Sequence, residues 1–197
     1  MANTSVINGL QYKYCLHGRE PIMETCYIDA ADGTATFVGD AVKTAAEGSS
    51  ADGFNISVIQ CAAADPIFGV VQAVDQVKGM GNNMNLTRLH RPASTGMYVH
   101  VITDPMAVYE IQEDAVGGAL AAADVGLNAS IVVGSGSTVT GLSGMQLDTS
   151  TAATTAALEL KILGFVNRPD NAIGANAKVL VMINNHKLKG GTGTAGI

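Results

Sequence analysis

The sequence contains no tryptophan, and its aromatic residues amount to only 5% of the chain. Charged residues are also scarce, at 14% against a typical ~25% for soluble domains. No run approaches the roughly 18 consecutive apolar residues that a membrane helix needs, so no such helix is expected and a membrane is not an expected partner. Basic residues are outnumbered, eleven Lys and Arg against seventeen Asp and Glu, for a formal net charge of -6. The densest basic groups are Arg88 to Arg91 and Lys187 to Lys189. Binding to nucleic acid needs several phosphate-neutralising cations on one face, so nucleic acid is not an expected partner either. Only Cys15, Cys26 and Cys61 are present, without a C-x-x-C spacing, and three thiols cannot all pair. The start lacks a charged segment followed by an apolar one, so no secretory leader is expected. Reduced, buried thiols made in a cytoplasm are the expected state.

What is there is small and apolar. Hydrophobic residues make up 47% of the 197 positions, carried largely by Ala and Val, and there are 23 Gly. The mass of 20.1 kDa fits one domain, or one domain with a large insertion. A chain of this length buries roughly 70% of its unfolded surface and needs no staples to fold.

Short apolar runs between turn residues define the organisation. Residues 1–22 mix polar residues with an apolar patch and end at Arg19-Glu20-Pro21, which reads as an N-terminal arm. Residues 24–28 and 34–38 flank Asp32-Gly33, a tight-turn pair, and predict a β-hairpin. Residues 43–53 read as a loop. Residues 54–61 alternate, with Phe54, Ile56 and Val58 on one face. Residues 67–74 read as a buried strand with a bend or close approach at Gly69. A polar connection over 75–97 leads to runs at 98–103 and 106–113, which flank Asp104-Pro105 and predict a second hairpin. A Gly/Ala-rich stretch follows, with a short helix expected over 119–124, then a short apolar piece at 131–133. The last strong strands are 158–166 and 178–184, and residues 189–197 read as a flexible Gly-rich tail. Helical periodicity is weak throughout. The expected fold is all-β: a barrel or sandwich of about seven to nine short strands with long Gly-rich loops, one domain over 23–188 and the arm before it.

Chemistry is sparse. Cys15-x-His17 with Cys26 offers three possible ligands but no paired spacing, so no metal is expected. His90, His100 and His186 lie on separate segments, and His100 sits mid-strand between two valines. The Gly-Leu-Ser-Gly run at 141–144 is not a nucleophile elbow. The Gly-x-Gly runs at 79–81 and 134–136 precede no helix and no Lys-Ser/Thr, so neither reads as a phosphate loop. Glu110 and Glu113 have odd spacing and fall on opposite strand faces, where a solvated strand end is expected rather than an acid–base pair. No catalytic residue and no cofactor is expected. The arm is different: Val6, Ile7, Leu10, Tyr12, Tyr14 and Leu16 are too apolar for an idle tail. Such a segment can add a strand to a neighbour's sheet, so these six are the candidate protein-interface residues. Its alternative role is a first strand of the protein's own sheet.

Several short stretches occur in a characteristic order. They are Ile-Phe-Gly-Val-Val (67–71), Asn-Leu-Thr-Arg-Leu-His-Arg-Pro-Ala-Ser-Thr (85–95) and Tyr-Val-His-Val-Ile-Thr-Asp-Pro (98–105). Then follow Val-Tyr-Glu-Ile-Gln-Glu-Asp (108–114), Val-Gly-Leu-Asn-Ala (125–129), Leu-Glu-Leu-Lys-Ile-Leu-Gly-Phe-Val-Asn-Arg-Pro-Asp-Asn (158–171) and Val-Leu-Val-Met-Ile-Asn-Asn-His (179–186). Over residues 54–188 the chain thereby resembles the capsid decoration, or cement, proteins of tailed bacteriophages. The resemblance implies a structural protein on the outer capsid surface of a virion, made in the bacterial host cytoplasm. It also implies the major capsid protein as partner, a homotrimer and no cofactor. A different virion role, a head fibre or tail protein that binds host glycan, is the alternative; it would call for exposed aromatics, and only nine Phe and Tyr exist.

Overall fold

The computed structural model describes residues 3–50, 53–75, 87–189 and 193–196. The expected turn at 79–81, most of the 75–97 connection and the first glycines of the tail lie outside the described residues. The fold is all-β, with eleven strands among the described residues. These are β1 (Gln11–Cys15), β2 (Met23–Ile28), β3 (Ala41–Ser49), β4 (Ile56–Gln60), β5 (Gly69–Val74) and β6 (Met97–Ile102). They continue with β7 (Ala107–Gln112), β8 (Asn128–Val132), β9 (Gln146–Ala153), β10 (Leu160–Phe165) and β11 (Lys178–Ile183). Among the described residues helix is confined to two 3₁₀ turns, Ala122–Asp124 and Lys187–Lys189.

Five strands close into a barrel in the order β2-β4-β3-β5-β6. Closure runs through β2 and β6, antiparallel from Met23 opposite Ile102 to Ile28 opposite Met97. Only the β2–β4 contact, at Tyr27 and Ser57, is parallel. Inward positions alternate along each strand. Cys26, Ile28, Val42, Val58, Phe68, Val71, Val99 and Val101 fill the interior and are buried. Valine and isoleucine suit these positions because their branched side chains pack well on a pleated surface. Closure leaves this barrel no edge to aggregate through.

The other six strands form a sheet in the order β1-β7-β11-β10-β8-β9. The sheet curls: the Asp114 N–H donates to the Leu147 carbonyl at 3.0 Å, bringing the start of β9 back to the end of β7. Every residue of β7 is therefore buried. The core inside the curl is built from Tyr109, Ile111, Ile131, Leu147, Leu160, Ile162, Val179 and Val181. Ala41, Cys61, Ile67, Val70 and Ile102 belong to the same cluster, so barrel and sheet share a packed seam.

Several expectations are overturned in detail. The runs at 98–103 and 106–113 do form strands, but they are not a hairpin. β6 pairs with β2 and β5 in the barrel, whereas β7 pairs with β1 and β11 in the sheet. The Asp104-Pro105 corner carries the chain from one to the other, and the Asp104 carboxylate accepts the Met106 N–H at 2.8 Å to hold that corner. Residues 34–38 do not pair with β2 either. They make single bridges, Thr36 to Arg91 and Val38 to Leu142. The buried Arg91 guanidinium takes their place: it donates to the carbonyls of Asp29, Asp32 and Thr34 and to the Asp32 carboxylate. Residues 43–49 are strand rather than loop, and Phe54 is exposed because β4 begins only at Ile56. Close approach at Gly69 is present: a Cβ there would lie 2.4 Å from the Ile102 carbonyl oxygen. Residues 193–196 are tied down. The Thr194 N–H donates to Asn184 at 2.9 Å, the Asn128 amide donates to the Thr194 carbonyl at 2.8 Å, and the Gly196 N–H donates to the Thr154 carbonyl at 3.1 Å.

Candidate functional site

The N-terminal segment is part of the protein's own sheet. β1 runs antiparallel to β7, with Gln11 opposite Glu110 and Cys15 opposite Ala107 and a bulge between Tyr12 and Tyr14. Pairing to β7 divides the six candidate interface residues. Leu10 is 1% exposed and packs in the sheet core, so it cannot contact another subunit. Tyr12 lies half-buried and meets Tyr109 edge-on, with ring centroids 6.3 Å apart. Val6, Ile7, Tyr14 and Leu16 remain outward, at 46%, 40%, 44% and 48% exposure. They continue into a second set. The Leu16 N–H donates to the Met106 carbonyl at 3.0 Å, and the Thr103 N–H to the Ile22 carbonyl at 3.0 Å. These bonds place exposed Leu16, Ile22, Met23 and Met106 around the corner where the chain leaves the barrel. β1 is also the end strand of its sheet, so its outer edge carries no partner strand among the described residues. An apolar strand edge of this kind is a natural contact surface.

Beneath that edge lies a polar cluster. The donor atoms of Cys15, His17 and Asp104 all lie within 4.8 Å of one another. His17 Nε2 is 2.6 Å from Asp104 Oδ2, and Cys15 Sγ is 3.6 Å from the same oxygen. His17 Nδ1 accepts the Arg19 N–H at 3.0 Å, which leaves the ring proton on Nε2, pointing at the carboxylate. The Tyr12 hydroxyl donates toward Cys15 Sγ at 3.7 Å. Burial pushes the Cys15 thiol up, and burial with the Cys15 contact pushes Tyr12 up to about 12. Burial alone would raise Asp104, but the His17 hydrogen bond and the N–H groups of Met106 and Ile22 outweigh it and hold the carboxyl below its ordinary value. Of the three residues the sequence offered as ligands, the structure unites Cys15 and His17, while Cys26 lies inside the barrel. Asp104 completes the trio from 89 residues away, through the corner that the hairpin reading hid. A Cys–His nucleophile needs an ionised thiol facing the imidazole. Here the thiol is held protonated and the imidazole faces the carboxylate.

The carboxylates read as a solvated strand end are buried. Glu110 is ringed by Lys13 at 2.9 Å, Arg168 at 3.3 Å and Lys178 at 3.7 Å. Burial works against its charge, yet the three cations hold it below its ordinary value. Glu113 is raised by burial and accepts the Ala115 N–H at 2.9 Å. The two do not converge on a common partner. His100 sits on the barrel with its Nδ1 3.3 Å from the Thr25 hydroxyl. A shallow cleft of about 320 Å³ between Thr34, Phe37, Gln60 and the 133–136 segment contains no titratable side chain. No family model, curated protein or solved structure matches the chain.

Proposed function

We propose that this chain is a structural protein of a tailed-phage virion that decorates and stabilises the capsid by binding the major capsid protein lattice. It acts without catalysis, on the outer surface of the shell. The observation that carries the reading is the apolar border formed by β1, the segment before it and the adjoining corner, where Val6, Ile7, Tyr14, Leu16, Ile22 and Met23 stand exposed. The ordered motifs over residues 54–188 supply the kind of partner. Repeated contacts on a shell reward a shape-matched apolar surface presented without ordering cost, and strand pairing fixes two of these positions, Tyr14 opposite Val108 and Met23 opposite Ile102. The homotrimer belongs to the same reading through the resemblance alone; an apolar border shared among subunits would leave water.

Co-sedimentation tests it. Shells assembled from the major capsid protein of the same source are mixed with wild type, with the double variant Tyr14→Asp/Leu16→Asp, and with Val139→Asp as control. Val139 is 82% exposed at the tip of the 137–141 turn, which the Gly141 N–H closes onto the Ser137 carbonyl at 2.8 Å, and is not one of the border residues. Wild type and control bind with saturable stoichiometry, and the double variant binds at least about tenfold more weakly, as loss of a central apolar anchor does. Failure of wild type to bind, or equal binding by the double variant, overturns the proposal.

A further inference from the structure

We propose that Cys15, His17 and Asp104 form a site for a divalent transition-metal ion of the zinc class. The inference is independent of capsid binding and rests on the convergence of three different donors. Thiolate, imidazole and carboxylate together match zinc better than calcium or magnesium, which take oxygen donors alone. The sulfur–oxygen spacing is close to what the ion needs. Bonds of ~2.3 Å to sulfur and ~2.0 Å to nitrogen and oxygen in a tetrahedron place sulfur and oxygen about 3.5 Å apart, and nitrogen and oxygen about 3.3 Å apart. Cys15 Sγ and Asp104 Oδ2 already stand at 3.6 Å. His17 Nε2 and Asp104 Oδ2 are closer, at 2.6 Å, because a proton now occupies the line between them.

Binding exchanges protons for the metal. The Cys15 thiol gives up its proton, giving a thiolate, a carboxylate, a neutral imidazole and a dication, for a net charge of zero. The imidazole must present a bare Nε2, so its remaining proton moves to Nδ1 and the Arg19 N–H loses that acceptor. His17 can make this adjustment. It follows the end of β1, its side chain is one-third exposed, and next to it Gly18 has φ +71° with open space around it. Asp104 is by contrast held rigid: its Oδ1 accepts the Met106 N–H at 2.8 Å, the kind of outer hydrogen bond that orients a ligating carboxylate. A tetrahedral ion would complete its shell with a water, which solvent can supply past the one-third-exposed His17 side chain. The bound ion staples the end of β1 to the barrel–sheet corner, directly beneath exposed Leu16 and Ile22.

Cobalt(II) titration of the full reduced chain, followed by absorbance, tests the site. Wild type develops a thiolate-to-cobalt charge-transfer band in the near ultraviolet that saturates at one equivalent, and zinc abolishes it. Cys15→Ser loses the band, although Cys26 and Cys61 remain. His17→Ala, which alters a partly exposed ring and leaves the buried residues in place, weakens cobalt binding by at least about tenfold. In parallel, zinc raises the thermal midpoint of wild type but not of His17→Ala, as binding to the folded state alone requires. A wild type without the band, a band that persists in Cys15→Ser, or a His17→Ala protein that binds and is stabilised like wild type each overturns the proposal. If Cys15→Ser does not fold, His17→Ala still decides.

Discussion

Acid is expected to remove a stabilising contribution made by His186. The residue follows β11, its backbone bridges to Ile67, and its ring is fully buried. Nδ1 accepts the Leu188 N–H at 3.1 Å, and Nε2 has no hydrogen-bond partner among the described residues. Burial, followed by the charge on Lys189, lowers its pKa to about 4 from an ordinary 6.5; Asp104 opposes this only weakly. The folded state thus favours the neutral ring. Its contribution is fully present above pH ~6.5 and is lost as pH falls toward 4. A displacement of this size is worth about 3 kcal/mol over the whole window, of which about 2 kcal/mol is gone by pH 5. Asp40, Glu113 and Glu159 are all raised by burial and act in the opposite sense, gaining stability as pH falls. The comparison that isolates His186 is therefore with His186→Asn, whose side-chain oxygen can still accept the Leu188 N–H. Urea denaturation at pH 7 and pH 5 gives four free energies. Between those conditions wild type loses about 2 kcal/mol more than the variant, whatever the variant's absolute stability. Equal losses in the two proteins refute the reasoning.

Other perturbations separate structural residues from surface ones. Leu10→Ala lowers unfolding stability by about 2–4 kcal/mol in urea titration, because the side chain packs in the sheet core, whereas Leu16→Ala stays within about 0.5 kcal/mol. Arg91→Met strands the Asp32 carboxylate and several carbonyls that the guanidinium now satisfies, and costs about 3–5 kcal/mol by the same assay. Gly69→Ala forces a Cβ against the Ile102 backbone and destabilises by about 1–3 kcal/mol, with a lower thermal midpoint in calorimetry.

Strands were legible where the chain is branched and apolar. The valine-rich runs that become β5, β6, β7 and β11 stand out in the sequence, as does the alternation behind β10. Within the 23–188 domain two strands were not, for a common reason. β3 presents Lys43, Thr44 and Glu47, and β9 presents Thr149, Ser150 and Thr151, so their polar sides mask the buried positions Val42, Ala45 and Leu147. Pairing was less legible than existence. Adjacent runs joined by a short turn normally pair with each other. Here Asp104 spends its carboxylate on Met106 and His17, which turns the corner outward into a different sheet. The candidate cluster failed for that same reason: Cys15 and His17 were visible as a pair, but their partner lies in a turn assigned to a hairpin. The N-terminal segment carried both of its roles at once. A sheet edge needs an apolar inner face and exposes the rest, and composition alone does not say which of Leu10 and Leu16 goes in.

On the proposed reading, this two-sheet body sits on a capsid lattice through its β1 border. A cryo-electron microscopy map of virions from the source, at a resolution that separates strands, tests it most directly. The account predicts density for the closed barrel and the curled sheet at repeating outer-surface positions, with Val6, Tyr14, Leu16 and Ile22 buried against the major capsid protein or a neighbouring copy. Lattice density that does not fit this body, or a fitted body whose β1 border faces open solvent, contradicts it.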